Sequence, residues 1–173
     1  MSAFKSLRVA HEYTQSNPAS PDRVFPLLCP VREAEWVPDW KYRLIYSESG
    51  VAELGCVFTT PNGAAPSEME NRENPGLREM TWIVVDYDPV AFRIAYVWID
   101  PGRVATELRI QLKAADDGSR SKICFRYTGL SEEGNLEVER YDRRWFDQKM
   151  QGWESAINHY LRTGKRVAAA GWE

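Results

Sequence analysis

The sequence predicts an α+β fold in which an antiparallel β-sheet packs against one long helix near the C-terminus. The helix is indicated by apolar residues that recur at steps of three and four between Ser131 and Thr163, which places them on one helical face. The sheet is indicated by segments between Leu7 and Thr128 in which apolar and polar residues alternate, as they do along a half-buried strand. Most connections are short, which suits antiparallel neighbours.

The chain begins with a predicted strand followed by two short helices. Ser20, Pro21 and Asp22 then provide a helix N-cap, a first-turn proline and an acidic first turn. Later prolines keep this helix brief, and Pro38 ends a second helical turn that spans Val31 to Trp36. The alternating apolar residues of the strand are Leu7, Val9, His11 and Tyr13.

About six further strands are predicted before the long helix. Turn residues at Ser49-Gly50, Asp88-Pro89 and Asp116-Asp117-Gly118 separate several of them. The segments are rich in β-branched and aromatic residues, and their approximate bounds are Lys41–Ser47, Glu53–Thr60, Met80–Tyr87, Ala91–Ile99, Val104–Lys113 and Lys122–Thr128.

One connection is much longer than the others. Pro61 to Gly76 contains three prolines, two glycines and three asparagines, and unstructured loops beyond about 12–15 residues are uncommon in compact domains unless they are functional or disordered. The segment is therefore a candidate lid, with Met69 as its one large apolar contact. The alternative is an insertion without a role.

The composition of the chain restricts the classes of protein to which it can belong. A chain of 173 residues, 43% of them hydrophobic, is long enough for one domain with a full core. The net charge of −3 comes from intermixed signs, so no basic face is available for nucleic-acid phosphates. No apolar run approaches the ~20 residues that span a bilayer, and the N-terminus has no signal-peptide core. We expect a cytoplasmic protein without membrane insertion; its oligomeric state is left open.

The cysteines and histidines do not form a metal-binding or redox pattern. Cys29, Cys56 and Cys124 are far apart and have apolar neighbours, which is typical of buried reduced thiols. With His11 and His159 as the two histidines, neither a metal site nor another cofactor is predicted. Hydrolase, phosphate-loop and dinucleotide-binding motifs are also missing from the sequence.

Four segments, in a consistent order, carry a family resemblance. Ala19–Phe25 resembles an opening helix signature, and Trp36–Trp40 is similar to a tryptophan–proline segment that precedes a second strand. Gly55–Phe58 resembles a glycine-led strand, and the aromatic helix ending at Trp153–Leu161 also matches. The resemblance is to the START-like helix-grip superfamily, also called SRPBCC, and it covers Leu7 to Gly164.

This resemblance implies a specific architecture. A curved seven-stranded antiparallel sheet would wrap around the long C-terminal helix, with two short helices between strands 1 and 2. An elongated apolar cavity would lie between sheet and helix. The implied domain is residues 1–164, followed by a C-terminal tail at residues 165–173.

The superfamily includes several functional classes, so the resemblance does not select one. Its members include lipid carriers, plant hormone-binding proteins, polyketide aromatases and cyclases, coenzyme Q-binding proteins and chaperone activators. The expected function is binding or carriage of a small hydrophobic or aromatic molecule in the cavity. The alternatives are an aromatase- or cyclase-type enzyme acting on polyketide-like substrates, and a protein-interaction module of the chaperone-activator type.

The candidate ligand-binding residues are polar or bulky side chains on the predicted inner faces of the strands and the helix. A cavity lined by aromatic rings with a few polar groups suits a small apolar ligand with one or two heteroatoms. Core packing is the alternative role for each, and the facing of the two strand tryptophans is left open because both faces of their strands are apolar. The candidates are His11, Tyr13, Trp82, Trp98, Thr106, Leu108, Tyr127, Met150, Trp153, Ile157 and Tyr160.

His11 is the one weak candidate for catalysis, because an inward imidazole can move protons near neutral pH. A hydrogen-bonded core histidine or an edge residue is the alternative. In an enzyme, His11, Tyr13 or Thr106 would position a substrate carbonyl. The pocket is expected between Met150, Trp153 and Ile157 of the helix and the strand around Thr106 and Leu108.

Two sets of charged residues are interpreted from their surroundings. The helix side that carries Lys149, Arg144 and Glu154 is expected to face solvent. Arg32–Glu35 is interpreted either as a solvated helical face or as charges at the mouth of the cavity.

Overall fold

The structure of the protein, a computed structural model, describes residues 4–61 and 79–168. The predicted lid lies outside the described residues from Asn62 onward. The strands are β1 (Arg8–Asn17), β2 (Arg43–Tyr46), β3 (Val57–Pro61), β4 (Glu79–Asp88), β5 (Arg93–Asp100), β6 (Val104–Ala115) and β7 (Gly118–Gly129). The helices are α1 (Pro21–Val24), α2 (Pro30–Glu33), α3 (Glu132–Arg140) and α4 (Arg143–Thr163), with a 3-10 turn at Phe25–Leu28.

The strands in the described part of the chain form one seven-stranded antiparallel sheet. Its order is β1-β7-β6-β5-β4-β3-β2, so α1 and α2 lie on the connection that carries the chain from one edge strand to the other. The seven-stranded sheet, the two short helices after β1 and the long C-terminal helix were all predicted. The predicted fold class is therefore confirmed.

Cross-strand pairing arranges the inner face of the sheet in rows, because directly opposed residues in neighbouring strands point to the same face. Tyr127 contacts Tyr141 and Trp145 near the start of α4, which identifies its face as the one that the helix covers. The first row is Phe58, Trp82, Trp98, Thr106, Tyr127 and Val9. The second row is Val84, Tyr96, Leu108, Phe125 and His11.

The helix α4 contributes the opposite wall. Phe146, Met150 and Ile157 are fully buried, as the predicted apolar stripe requires. Asp142 caps its first turn by accepting a hydrogen bond from the Trp145 amide at 2.8 Å. Among the described helices, none is long and apolar enough to cross a membrane.

The predicted helix from Ser131 to Thr163 is interrupted and forms two helices. Ser131 caps α3, as expected, by accepting from the Gly134 amide at 3.0 Å. The chain then leaves the helical conformation at Tyr141 and Asp142. Asp142 has extended backbone angles (φ −71°, ψ 174°), and an aspartate side chain that caps a new helix competes with continuation of the old one. The interruption lets α3 pack on β7 while α4 runs beside β1.

Candidate functional site

Trp82, Trp98, Thr106 and Tyr127 lie side by side in the first cross-strand row. The rings of Trp82 and Trp98 stack with their centroids 3.8 Å apart and their planes 24° from parallel. Both tryptophans therefore point toward α4, which settles the facing that alternation left open. The predicted sheet residues form one continuous surface.

The Trp82 ring is the centre of this aromatic surface. Its Nε1 donates to Thr60 Oγ1 at 2.8 Å, so its polar atom is satisfied. Phe58 stacks on the Trp82 ring at 5.4 Å, and Tyr96 meets it edge-on at 6.3 Å. Trp82 nevertheless remains partly accessible, whereas Trp98 is buried, with 8% of its surface exposed. An accessible tryptophan on the inner face of a sheet indicates space beside it.

The helix presents apolar groups toward this surface. Met150 and Ile157 are buried, and Trp153 is partly accessible although it lies on the same stripe. The Trp153 ring packs against Trp36 with centroids 5.6 Å apart, and Trp36 donates its indole N–H to the Leu27 carbonyl at 2.8 Å. The sequence-predicted helix residues are thus brought to the wall opposite the sheet.

His11 and Tyr13, the predicted polar residues of β1, make bonds that join strand to helix. His11 Nε2 is 2.6 Å from the Tyr141 carbonyl oxygen, and its ring stacks on Phe146. Tyr13 donates its hydroxyl to Glu154 Oε2 at 2.5 Å. Burial and this bond raise the pKa of Tyr13 to about 12. Both side chains hold α4 against the edge of the sheet.

Tyr160 and Tyr127 differ in the hydrogen bonding of their hydroxyl groups. Tyr160 donates to Glu35, which also binds Arg32 at 2.8 Å, so Tyr160 ties the end of α4 to the segment after α2. Tyr127 is 2% exposed, and its hydroxyl has no hydrogen-bond partner within the described residues. Burial raises the pKa of Tyr127. A buried hydroxyl without a partner is uncommon and is available to a ligand.

Lys149 is accessible, as predicted, but its amine lies beside the rings of sheet and helix. Its Nζ lies 4.7 Å from the Phe125 ring centroid and 5.1 Å from that of Trp145. Burial lowers the pKa of the Lys149 ammonium to about 8, although the residue is exposed by surface area. A group that is surrounded by protein and still accessible lines an interior space.

The sequence does carry a signal for this position. Lys149 is four residues after Trp145 and four before Trp153, so all three lie on one side of the helix. Its charge predicts accessibility and its spacing predicts contact with the aromatic wall, and Lys149 has both.

Glu33, at the end of α2, is half-buried. Burial raises the pKa of the Glu33 carboxyl to about 8. Burial, followed by the charge of Glu33, also raises the pKa of Tyr96, which places the carboxyl near the second cross-strand row.

A separate groove of about 410 Å³ lies between α1 and the end of α4. Arg23, Arg32 and Tyr160 line it, and its polar walls contrast with the aromatic interior. Residues 4–61 and 79–168 contain no group of three or more histidine, cysteine or acidic side chains placed to hold a metal ion.

Solved structures of low sequence identity share this fold, whereas no family model and no curated protein matches the chain. Ara h 8.0201 is 16% identical with a TM-score of 0.56, and the match covers 92% of this chain and 99% of that one. Norcoclaurine synthase from Thalictrum flavum is 16% identical with a TM-score of 0.60, covering 92% of this chain and 88% of that one. Another structure of this enzyme holds dopamine and hydroxybenzaldehyde.

A third neighbour, DynU16 from the dynemicin biosynthetic locus, is 17% identical with a TM-score of 0.52. That match covers 94% of this chain and 49% of DynU16. These neighbours are Bet v1-like proteins of the START-like, or SRPBCC, type. The helix-grip fold that the sequence motifs implied is therefore confirmed; at these identities the likeness concerns the fold alone.

Proposed function

We propose that this helix-grip protein binds a small hydrophobic or aromatic molecule between the inner face of its sheet and α4. The observation that carries the proposal is the partial accessibility of two tryptophans, one on the inner face of the sheet and one on the apolar stripe of α4. Trp82 on the sheet and Trp153 on the helix both remain partly accessible, although side chains in a filled core are packed nearly without voids. Concave sites lined by aromatic rings with a few polar groups are typical of small-molecule binding.

The chemistry of the walls indicates the kind of ligand. Stacked tryptophans offer broad flat faces that suit aromatic or other planar apolar molecules. The norcoclaurine synthase structure with two small aromatic molecules supports the same assignment by analogy of fold.

Native mass spectrometry of the purified protein tests the proposal directly. We expect a mass excess of a few hundred daltons that disappears under denaturing conditions. The neutral dye N-phenyl-1-naphthylamine should bind with enhanced fluorescence, and Trp98→Leu should weaken that binding. Ile99→Ala is the matched control, because Ile99 is the neighbouring residue on the outer face and is 47% exposed. No bound molecule and no dye binding would contradict the proposal.

An enzyme is the second candidate function, and Glu33 is the observation that favours it. A carboxyl with a pKa of about 8 carries its proton at neutral pH and can donate it to a substrate oxygen. The reaction would be of the aromatase or cyclase type: the enol form of one carbonyl attacks a second carbonyl carbon, the second oxygen takes the Glu33 proton, and the enol O–H proton returns to the carboxylate. Turnover of a synthetic poly-β-ketone that Glu33→Gln abolishes, with binding retained, would support it. Equal turnover by both proteins would exclude Glu33 as the acid.

A further inference from the structure

The Lys149 ammonium has no acidic partner among residues 4–61 and 79–168. The carboxylates on the neighbouring turns of α4 are engaged elsewhere. Asp147 pairs with Arg143 at 2.8 Å. Glu154 accepts from the Tyr13 hydroxyl at 2.5 Å and from the Ser16 amide at 2.8 Å. A charged amine inside a protein is costly unless it is paired.

The two aromatic rings beside Lys149 compensate for part of this cost. Phe125 and Trp145 lie within cation–π distance of Nζ, an arrangement that stabilises a cation modestly. An ammonium group has three hydrogen-bond donors, and ring faces provide no strong acceptor. The rings therefore favour a cation, and no carboxylate in the described ranges 4–61 and 79–168 pairs with it.

We propose that Lys149 anchors the acidic group of the ligand, so that the protein binds an aromatic or apolar molecule that carries a carboxylate. This inference rests on the proposed function and specifies its ligand class. The carboxylate would accept charge-assisted hydrogen bonds from the amine. Tyr127, whose ring adjoins Phe125 and Trp145, offers a second donor in the same cluster through its unpartnered hydroxyl.

The apolar part of the ligand would extend from Lys149 along the second cross-strand row. From Phe125 the row continues through Leu108 to Tyr96, a distance of about 10 Å for two strand spacings. Glu33 lies near the Tyr96 end. A molecule of one or two fused rings with an acidic group at one end spans this distance.

Three other ionisable groups close to this cluster already have hydrogen-bond partners. On β1, His11 is bonded to the Tyr141 carbonyl and Tyr13 to Glu154. Tyr141 donates its hydroxyl to Glu137 at 2.5 Å. Lys149 is therefore the cation that binds the anionic group of the ligand in this proposal.

Two dyes that share their rings and differ in charge provide the test. The anionic dye 8-anilinonaphthalene-1-sulfonate and the neutral dye N-phenyl-1-naphthylamine are titrated into wild type, Lys149→Met and Lys149→Arg. We expect Lys149→Met to lower affinity for the anionic dye about ten- to hundredfold, as loss of a charge-assisted hydrogen bond does, and to leave the neutral dye within about twofold. Lys149→Arg should retain most of the preference. Arg144→Met, an exposed charge on the same helix, is the control.

Titration at different pH values gives an independent readout. Anionic-dye affinity should fall as pH rises above about 8, the pKa of the amine, while neutral-dye affinity stays level. If Lys149→Met lowered the affinity for both dyes equally, the proposal that Lys149 binds the anionic group would be wrong, because the side chain would then act by packing alone. Unchanged anionic affinity would also overturn it. Failure of wild type to bind either dye would contradict the proposed function itself.

Discussion

Glu33 and Lys149 are ionisable residues that burial shifts in opposite senses, so their effects on stability should depend on pH in opposite ways. The pKa of Glu33 is raised from 4.5 to about 8. Between these values the unfolded chain gives up the proton while the folded protein keeps it. The free energy of unfolding therefore decreases as pH rises through this window.

Glu33→Gln should remove that penalty. We expect the variant to match wild type near pH 4.5 and to be more stable by about 2 kcal/mol at pH 8.5, a value discounted for the partial accessibility of the side chain. Urea denaturation at the two pH values measures it. Glu139→Gln, an exposed carboxylate on α3, serves as the control; a gain independent of pH would show that the carboxyl is not buried in the folded state.

Lys149→Met should show the reverse dependence. The pKa of Lys149 is lowered from 10.5 to about 8, so the unfolded chain binds the proton more tightly between those values. The cost of the buried amine is fully present below about pH 8 and is lost toward pH 10.5. The variant should therefore melt at a higher temperature than wild type at pH 7 and at the same temperature near pH 10.5. A lower melting temperature at pH 7 would mean that the cation is paired.

At the level of elements, the interruption between α3 and α4 depends on Asp142. Its carboxylate satisfies the Trp145 amide at 2.8 Å, and the Tyr141 carbonyl is held by His11. Asp142→Ala should cost about 1 kcal/mol of unfolding free energy, the usual cost of a lost N-cap, while Asp142→Asn should stay within a few tenths of wild type. Guanidinium denaturation compares them. If the alanine variant were as stable as wild type, the two helices would be able to merge.

The existence of the helices and strands was predicted better than the residues at which the helices end and the direction in which the helices run. Alternation and turn residues located the strands, because those patterns reflect local backbone geometry. The interruption at Tyr141 and Asp142 was missed because the apolar period continues across it, and it depends on His11, which is 130 residues away along the chain. A bond of that kind leaves no local pattern.

The site was predicted in part for the same reason. Trp82, Trp98, Thr106 and Tyr127 share one row because register follows from strand pairing, whereas His11 and Tyr13 found partners on other elements. Lys149 shows a different limit. Its charge suggested solvent, but its Nζ lies beside the rings of Phe125 and Trp145, a contact that charge alone does not predict.

At the scale of the whole molecule, Thr106 lies where the sequence predicts the pocket between sheet and helix. It is the small residue between Trp98 and Tyr127 in the first row, and it is 4% exposed. The predicted pocket would lie between this point of the row and the helix residues Met150 and Trp153.

Thr106→Phe tests whether a cavity lies at this point. In a filled core the added ring would overpack and cost about 1–3 kcal/mol. In an open cavity it should leave the melting temperature unchanged or raise it, and it should abolish binding of the neutral dye. Ala105→Phe, on the outer face of the same strand, should leave dye binding intact. Thermal melts and dye titrations on both variants measure the two quantities, and a marked fall in melting temperature for Thr106→Phe would show that sheet and helix are already in full contact there.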